Sequence, residues 1–278
     1  WNAWKGKLLE DLYHATLRAL GGHSPDAAAD IGARKREALV LLALSAEPPD
    51  SHKALWETLD VSYFMRHEAA DIAWHTRHLS RHVMAQRPVV RARQSLAGEG
   101  LQVMVYAIDQ PDLFARICGY FDRANFSILD ARVHTTNNGY ALDTFQVISP
   151  TLPEHYRELT HMVENDLMLA IEKNGALPEP GRRRLSRRAK SFPFTPRVSL
   201  RPDEKAQRWL LAISASDRAG LLYLVARVLA RHGLSVQLAK VSTLGERVED
   251  TFLLHGPELQ NNARQIEIET EVLQALSS

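Results

Sequence analysis

Cysteine is nearly absent: Cys118 alone stands among 278 residues. No intrachain disulfide framework can therefore staple the fold, and the chain is expected in a reducing cytoplasm. Cys118 lies on an apolar helical face, where a buried structural thiol is expected rather than a nucleophile. Long apolar runs are also missing. The best, Ala38 to Leu44, falls well short of the roughly 18 residues a membrane span needs. The opening "WNAWKGKLLEDLY" has neither an initiator Met nor a basic-then-apolar leader. Its Trp1, Trp4, Leu8, Leu9 and Leu12 already follow helical spacing, so a piece of a longer protein is expected. Net charge is scarce too, at +1, which leaves no overall field to draw nucleic acid or an anionic membrane. The one strongly basic stretch, "GRRRLSRRAK", reads as a solvated connector.

What remains is an ordinary globular composition, 45% hydrophobic and 24% charged, long enough for two or three compact units. Residues 1 to about 90 read as helices only. Trp1, Trp4, Leu8, Leu12, Thr16 and Leu20 form one stripe, and a second helix covers about Asp26 to Leu44. Ser51 is placed to cap "HKALWETL", and "MRHEAADIAWHTRHLSRHV" follows as an amphipathic, polar-rich helix. On it His75, His78 and His82 share a face, with His67 before them. Zinc sites use such faces, but solvated or capping histidines are the expectation, and no metal site is assigned.

From Leu101 the texture alternates. "LQVMVYAID" is strand-like, "PDLFARICGYFDRAN" helical, "FSILDARVHTT" and "ALDTFQVIS" are strands around an "NNGY" turn, and Glu154 to Lys173 is helical. The same β-α-β-β-α order returns from "RWLLAISAS" onward. A displacement of 108 residues carries Ala107 onto Ala215, Asp109 onto Asp217, Leu113 onto Leu221, Ser127 onto Ser235 and Val133 onto Val241. After the hairpin, "DTF" at Asp143 meets "DTF" at Asp250, one residue having been lost from the turn. The chain thus carries an internal repeat of a split β-α-β unit. "FTPRVSL" is assigned to the first copy as its last strand. The second copy, with its last helix running to the end, lacks a clear fourth strand.

The loop before each copy's first helix is the candidate binding element. A helix N-terminus offers unpaired N–H groups and a partial positive charge that suit a carboxylate. Gly220 removes a side chain where a ligand could approach the backbone, and Asp217 could pair with an ammonium. In the first copy Asp112 replaces the glycine, and an extra carboxylate there disfavours an anionic ligand group, so the second loop is preferred. Gln237 and Asp130 begin the facing strands and could read a side chain. "GERVED", Gly245 to Asp250, reads as a solvated charge-rich hairpin rather than a catalytic carboxylate pair. The split β-α-β topology is shared with RNA-recognition domains, but their Lys/Arg-Gly-Phe-Gly-Phe strand motif is absent.

The repeat, with "DRAGLL" after its first strand, resembles the ACT domain, a ferredoxin-like module that binds amino acids and regulates an attached enzyme. "LLAISASD", "LSVQLAKVST" and "TLGERVEDTF" resemble the last such repeat of the bacterial PII uridylyltransferase and uridylyl-removing family. "SILDARVHTTNNGYALDTFQVI" is similar to that family's first repeat. "WNAWKGKLLEDLY" and "YFMRHEAADIAWHTRHL" resemble the helices that follow its HD hydrolase core, so the likeness spans nearly the whole chain. The resemblance implies an α+β chain: a helical segment over 1–95, then two ferredoxin-like (βαββαβ) ACT domains. These cover 96–203, with a basic connector at 176–190, and 204–278. It implies glutamine as effector, the PII protein as partner, a possible dimer through the ACT domains, and neither nucleic acid nor membrane. Glutamine's contacts would be Asp217, Arg218, Gly220, Leu221, Leu222 and Gln237, with Asp109, Gln110, Asp112, Leu113 and Asp130 in the first copy. The family's Gly-Ser with paired aspartates and its His…His-Asp…Asp set are absent, so no catalytic residues and no cofactor are expected here. Magnesium belongs to the catalytic parts of the longer enzyme. The alternatives are the regulatory tail of another amino-acid-controlled enzyme, such as an aspartokinase, and a ligand-free interaction module.

Overall fold

The computed structural model describes residues 25–95, 100–149, 155–180, 194–202, 208–216, 218, 220–241, 243–244 and 247–277. The chain divides into two compact units, Trp1–Ser80 and Arg81–Ser278. The expected stripe from Trp1 to Leu20, the basic stretch Arg182 to Lys190, and Asp217 lie outside the described residues.

Among the described residues the first unit is helical: α1 (Pro25–Leu44), α2 (Lys53–Trp56), α3 (Val61–Arg66) and α4 (Ala69–Leu79). Ser51 does not cap α2; the residue at that position is His52, which makes no side-chain cap bond. The cap that forms is Asp60, whose carboxylate accepts from the Tyr63 N–H at 3.1 Å and the Ser62 hydroxyl at 2.6 Å. The single helix expected from Met65 onward is two, interrupted where His67 and Glu68 adopt extended backbone. At that break the Arg34 guanidinium donates to the carbonyls of Phe64, Met65 and His67, placing a cation on the orphan acceptors of α3. His67 and His75 are fully buried rather than solvated. The Tyr63 hydroxyl bonds His75 Nδ1 at 2.7 Å, and Trp56 donates to Thr76 at 2.8 Å. Burial, then the nearby Asp71, pushes the Tyr63 phenol well above its ordinary value.

The second unit opens with a strand, β1 (Val89–Gln94), where helix was expected. There follow β2 (Leu101–Ile108), α5 (Leu113–Arg123), β3 (Ser127–Arg132), β4 (Tyr140–Ile148) and α6 (Tyr156–Glu172). The second copy repeats this: β5 (Arg197–Pro202), β6 (Trp209–Ser216), α7 (Leu221–Arg231), β7 (Ser235–Lys240), β8 (Thr243–Leu244), β9 (Arg247–His255), a 3₁₀ turn (Pro257–Gln260) and α8 (Asn262–Ser277). All strands but β8 lie in one path, β1-β2-β4-β3-β7-β9-β6-β5, and β8 pairs with β9.

The α+β class and the two ferredoxin-like copies stand, but each copy runs ββαββα. "RVSLRP" is not the last strand of the first copy. It pairs antiparallel with β6, from Arg197 opposite Ser214 to Pro202 opposite Trp209. The outer edge of β2 is already taken by β1 (Val89 opposite Tyr106). A strand one short hairpin loop from its neighbour closes with far less chain entropy than one returning from beyond α6. The second copy therefore has its fourth strand, and the copies begin at Val89 and Arg197 rather than 96 and 204. The 108-residue displacement already carries Val89 onto Arg197.

Helices cover one face of this sheet and bury one continuous core. Its inward row in β9 is Val248, Asp250, Phe252 and Leu254, and Phe145 fills the place of Phe252 in the first copy. Phe114 on α5 meets both phenyl rings, each at 6.1 Å between centroids, so the two copies share their packing. Each outer edge strand has an N–H covered by a carboxylate from its copy's second helix. Ala92 N–H donates to Glu164 at 2.9 Å, and Leu200 N–H to Glu269 at 2.7 Å. These contacts blunt edges that would otherwise template another strand.

Candidate functional site

Between the copies the sheet is joined by one ladder pair, Arg132 opposite Lys240. Most of the junction is made instead by α5 against α7. Gly119 permits it: a Cβ there would lie 2.7 Å from the Tyr223 ring. Away from the ladder pair the start of β3 and the start of α7 stay apart, and a cavity of about 90 Å³ lies between them. At roughly 10–15 Å³ per water-sized position, that is room for several waters or a small ligand.

The second copy contributes Arg218, Gly220, Leu221, Leu222 and Tyr223 to its wall, and the first contributes Cys118, Asp122 and the stretch from Phe126 to Leu129. Gly220 is the N-cap of α7 with φ +81°, a left-handed conformation that favours glycine. A Cβ at that position would lie 2.9 Å from Asp122 Oδ1, so the absent side chain keeps the helix start open toward the other copy. The Leu224 N–H donates to the Gly220 carbonyl at 3.0 Å, the first helical bond. The Arg218 guanidinium donates to the Ala275 carbonyl near the end of α8 at 2.5 Å, and burial draws its pKa below the ordinary arginine value. Asp250, of the second "DTF", also lines the cavity and is 2% exposed. The hairpin carboxylate expected in solvent is therefore inside.

The electrostatics of this place are registered by Cys118. Burial first, then Asp143, Asp250 and Asp122, pushes its thiol well above the ordinary value. A thiolate is disfavoured there.

Of the residues expected to bind, the structure brings Arg218, Gly220, Leu221 and Leu222 together at this cavity. The first-copy loop does not reach it. Asp109 accepts from the Thr135 hydroxyl at 2.9 Å and its N–H donates to the Gly139 carbonyl, which fastens the loop to its own hairpin turn. Asp112 pairs with Arg116, which also donates to the Gly175 carbonyl at 2.7 Å. Leu113 is in the core, and the Gln110 carbonyl accepts from the Leu113 N–H. Asp130 pairs with Arg132 at 3.3 Å. Gln237 is half-buried at a bulge in β7, at the position that Leu129 holds in β3. Sequence reasoning missed Asp122 and Asp250. Period-two alternation would have found Asp250, which is in phase with Val248, Phe252 and Leu254. Nothing within one copy marks Asp122, since its surroundings come partly from the other.

Among the described residues no three His, Cys, Asp or Glu side chains converge as a metal would require, and no helix is long and apolar enough to cross a membrane.

Residues 26–78 match the family described as "Uridylyltransferase GlnD fifth domain". Over 277 residues the chain is 55% identical to the bifunctional uridylyltransferase/uridylyl-removing enzyme of Burkholderia thailandensis, covering 100% of this chain and 32% of that protein. The enzymes of that name from Burkholderia mallei and Burkholderia pseudomallei match with the same identity and coverage. The chain spans about a third of the length of these curated relatives, in their C-terminal part. Among solved structures, an aspartate kinase from Synechocystis aligns with 64% of this chain and 27% of its own, at 14% identity and a TM-score of 0.36.

Proposed function

From the premise that this chain is similar, over its whole length, to the C-terminal part of bifunctional uridylyltransferase/uridylyl-removing enzymes, we propose that it is their amino-acid-sensing regulatory region, with glutamine as the effector. In the whole enzyme it would bias the balance between uridylyl transfer to the PII protein and uridylyl removal from it. The observation that carries the reading is the cavity between the repeats, with Gly220 holding the start of α7 open beside Arg218. The helix N-terminus and a guanidinium together suit an α-carboxylate.

The placement also suggests how binding would be transmitted. A ligand held by two copies binds with a strength that depends on their separation, and only such differential binding can shift a conformational equilibrium. The α5–α7 contact is the element it would bias. Tyr223 lies in that contact, and its hydroxyl donates at 2.5 Å to the Pro178 carbonyl in the segment after α6. Burial pushes this phenol up to about 12, so it remains a donor across the physiological range.

Calorimetric titration of the chain with L-glutamine and a panel of other amino acids tests the reading. Saturable binding of glutamine, stronger than that of the panel, is expected. Absence of binding by any amino acid would remove the sensing role. Tighter binding of another amino acid would retain the role and change the effector.

A further inference from the structure

The face of the sheet turned away from the helices differs between the copies. Ladder partners share a face, so its side chains fall into rows that cross the strands. In the second copy one row is Arg201, Leu210, Leu253 and Leu238, and the next is Ser199, Ala212, Thr251 and Lys240. A third holds Arg197, Ser214 and Glu249. The repeat displacement, 108 residues and 107 after the hairpin, sets Leu210, Leu238 and Leu253 where the first copy has Gln102, Asp130 and Gln146. Three polar residues are thus exchanged for leucine on a face that stays open. Leu210 is 42% exposed, and Leu238 and Leu253 are half-buried. In the first copy the corresponding face is closed. Met104, Tyr106 and Leu142 are fully buried there, and the Tyr106 hydroxyl donates to the Val83 carbonyl at 2.8 Å.

We infer that this leucine-bearing face of the second copy is an interface between two molecules of the chain, packed face to face about a two-fold axis. A two-fold interface must be self-complementary, and this patch is. Because the first copy's face is closed, only the second copies can meet, so the axis runs along the strands between β6 and β9 and exchanges their places. Leu210 of one chain then stands over Leu253 of the other, and Leu253 over Leu210, which gathers four leucines at the axis. Ala212 and Thr251, from the row of small side chains beside them, meet in the same way and let the sheets approach to the roughly 10 Å of aligned packing.

Charge fits the same operation. Arg132 of β3 pairs with Lys240 of β7 in antiparallel register, so Asp130 continues the row of Arg197, Ser214 and Glu249 beyond β7. The axis carries the exposed Arg197 from the β5 end of that row to its β7 end, beside Asp130 of the other chain. The Asp130 side chain is 39% exposed, and the contact occurs twice because the interface is isologous. Four strands about 4.8 Å apart and about 20 Å long offer about 400 Å² per molecule, the scale of a weak association that dissociates on dilution. The inference does not depend on what the cavity between the copies binds.

Sedimentation equilibrium of the chain from about 1 to 300 µM spans the range over which an interface of this size dissociates. The wild type is expected to pass reversibly from monomer to dimer. Leu210→Asp should raise the dissociation constant about 30-fold or more, since a central apolar contact is lost twice. Arg197→Glu and Asp130→Lys should each weaken the dimer about tenfold by setting like charges across the axis. An equimolar mixture of these two variants should recover a dimer near wild-type affinity, because both contacts of the mixed dimer then join opposite charges. General stickiness of an apolar face gives no such recovery. A monomer throughout the range overturns the inference, as does a dimer that Leu210→Asp leaves unchanged, or a mixture that does not recover. If Leu210→Asp does not fold, judged by circular dichroism, the charge variants and their mixture decide.

Discussion

Replacing Gly220 by alanine probes the contact on which the cavity's geometry depends. Two penalties add. The backbone at Gly220 has φ +81°, and holding an L-residue in the left-handed region costs about 1–2 kcal/mol. The new methyl would also lie 2.9 Å from a carboxylate oxygen of Asp122. That side chain is 4% exposed and must shift to make room, so overpacking adds about 1–3 kcal/mol. The expected total is about 2–5 kcal/mol, or roughly 4–20 °C in Tm at the 2–4 °C per kcal/mol usual for a unit of about 200 residues. Gly139 is an internal control. Its φ is also +81°, but a Cβ there meets nothing within 4 Å, so Gly139→Ala should show only the backbone part, about 1–2 kcal/mol. The assay is urea unfolding of wild type, Gly220→Ala, Gly139→Ala, Asp122→Ala and the Gly220→Ala/Asp122→Ala double variant. The cycle should return a coupling of about 1–3 kcal/mol between positions 220 and 122, as residues in contact do. Equal losses for the two glycine variants, with no coupling to position 122, would refute the close approach of α7 to α5.

Three other outcomes follow from contacts elsewhere. Glu164→Ala and Glu269→Ala each remove a carboxylate from an edge-strand N–H; each should lower the urea midpoint by about 1–3 kcal/mol in stability, and light scattering should show increased self-association. Asp109 is held above the ordinary carboxyl pKa mainly by burial, against the hydrogen bonds of Thr135 and the Gln110 backbone. A folded pKa above the unfolded one means that folding favours the protonated form, so this group's contribution to stability grows as pH falls through the folded pKa. Asp109→Asn, which mimics that form, should flatten the stability profile at and just above the ordinary carboxyl range and leave the protein at least as stable at neutral pH; a profile unchanged from wild type would refute it. Tyr63→Phe removes the buried 2.7 Å bond to His75 and should cost the helical unit about 1–3 kcal/mol, read from the helical circular dichroism signal on denaturation.

The legibility of this chain divides along physical lines. The repeat displacement of 108 could be read because strands and helices recur in register, and the same arithmetic already contained β1 over β5. That pair was passed over because chain order alone favours a closing strand after the second helix. Which neighbour a strand joins is decided by loop length and by which edge is free, and "RVSLRP" sits one hairpin from β6. Buried histidines were read as solvated for a related reason. His67 and His75 lie in a polar-looking helical pattern, yet side-chain partners such as Tyr63 permit burial. In the site, the glycine loop was legible because Gly before an apolar helix is a local pattern. Asp122 was not, because its role exists only when the other copy's Gly220 is set against it. Asp112 illustrates the converse: its carboxylate looked available in sequence, and Arg116 four residues on takes it.

A crystal structure of the chain grown with saturating L-glutamine addresses the central claim most directly. The account predicts ligand in the cavity between the copies, with its carboxylate at Arg218 and the start of α7. Ligand bound at the Asp109–Leu113 loop instead, or a cavity left without ligand while glutamine binds elsewhere on the chain, would contradict it.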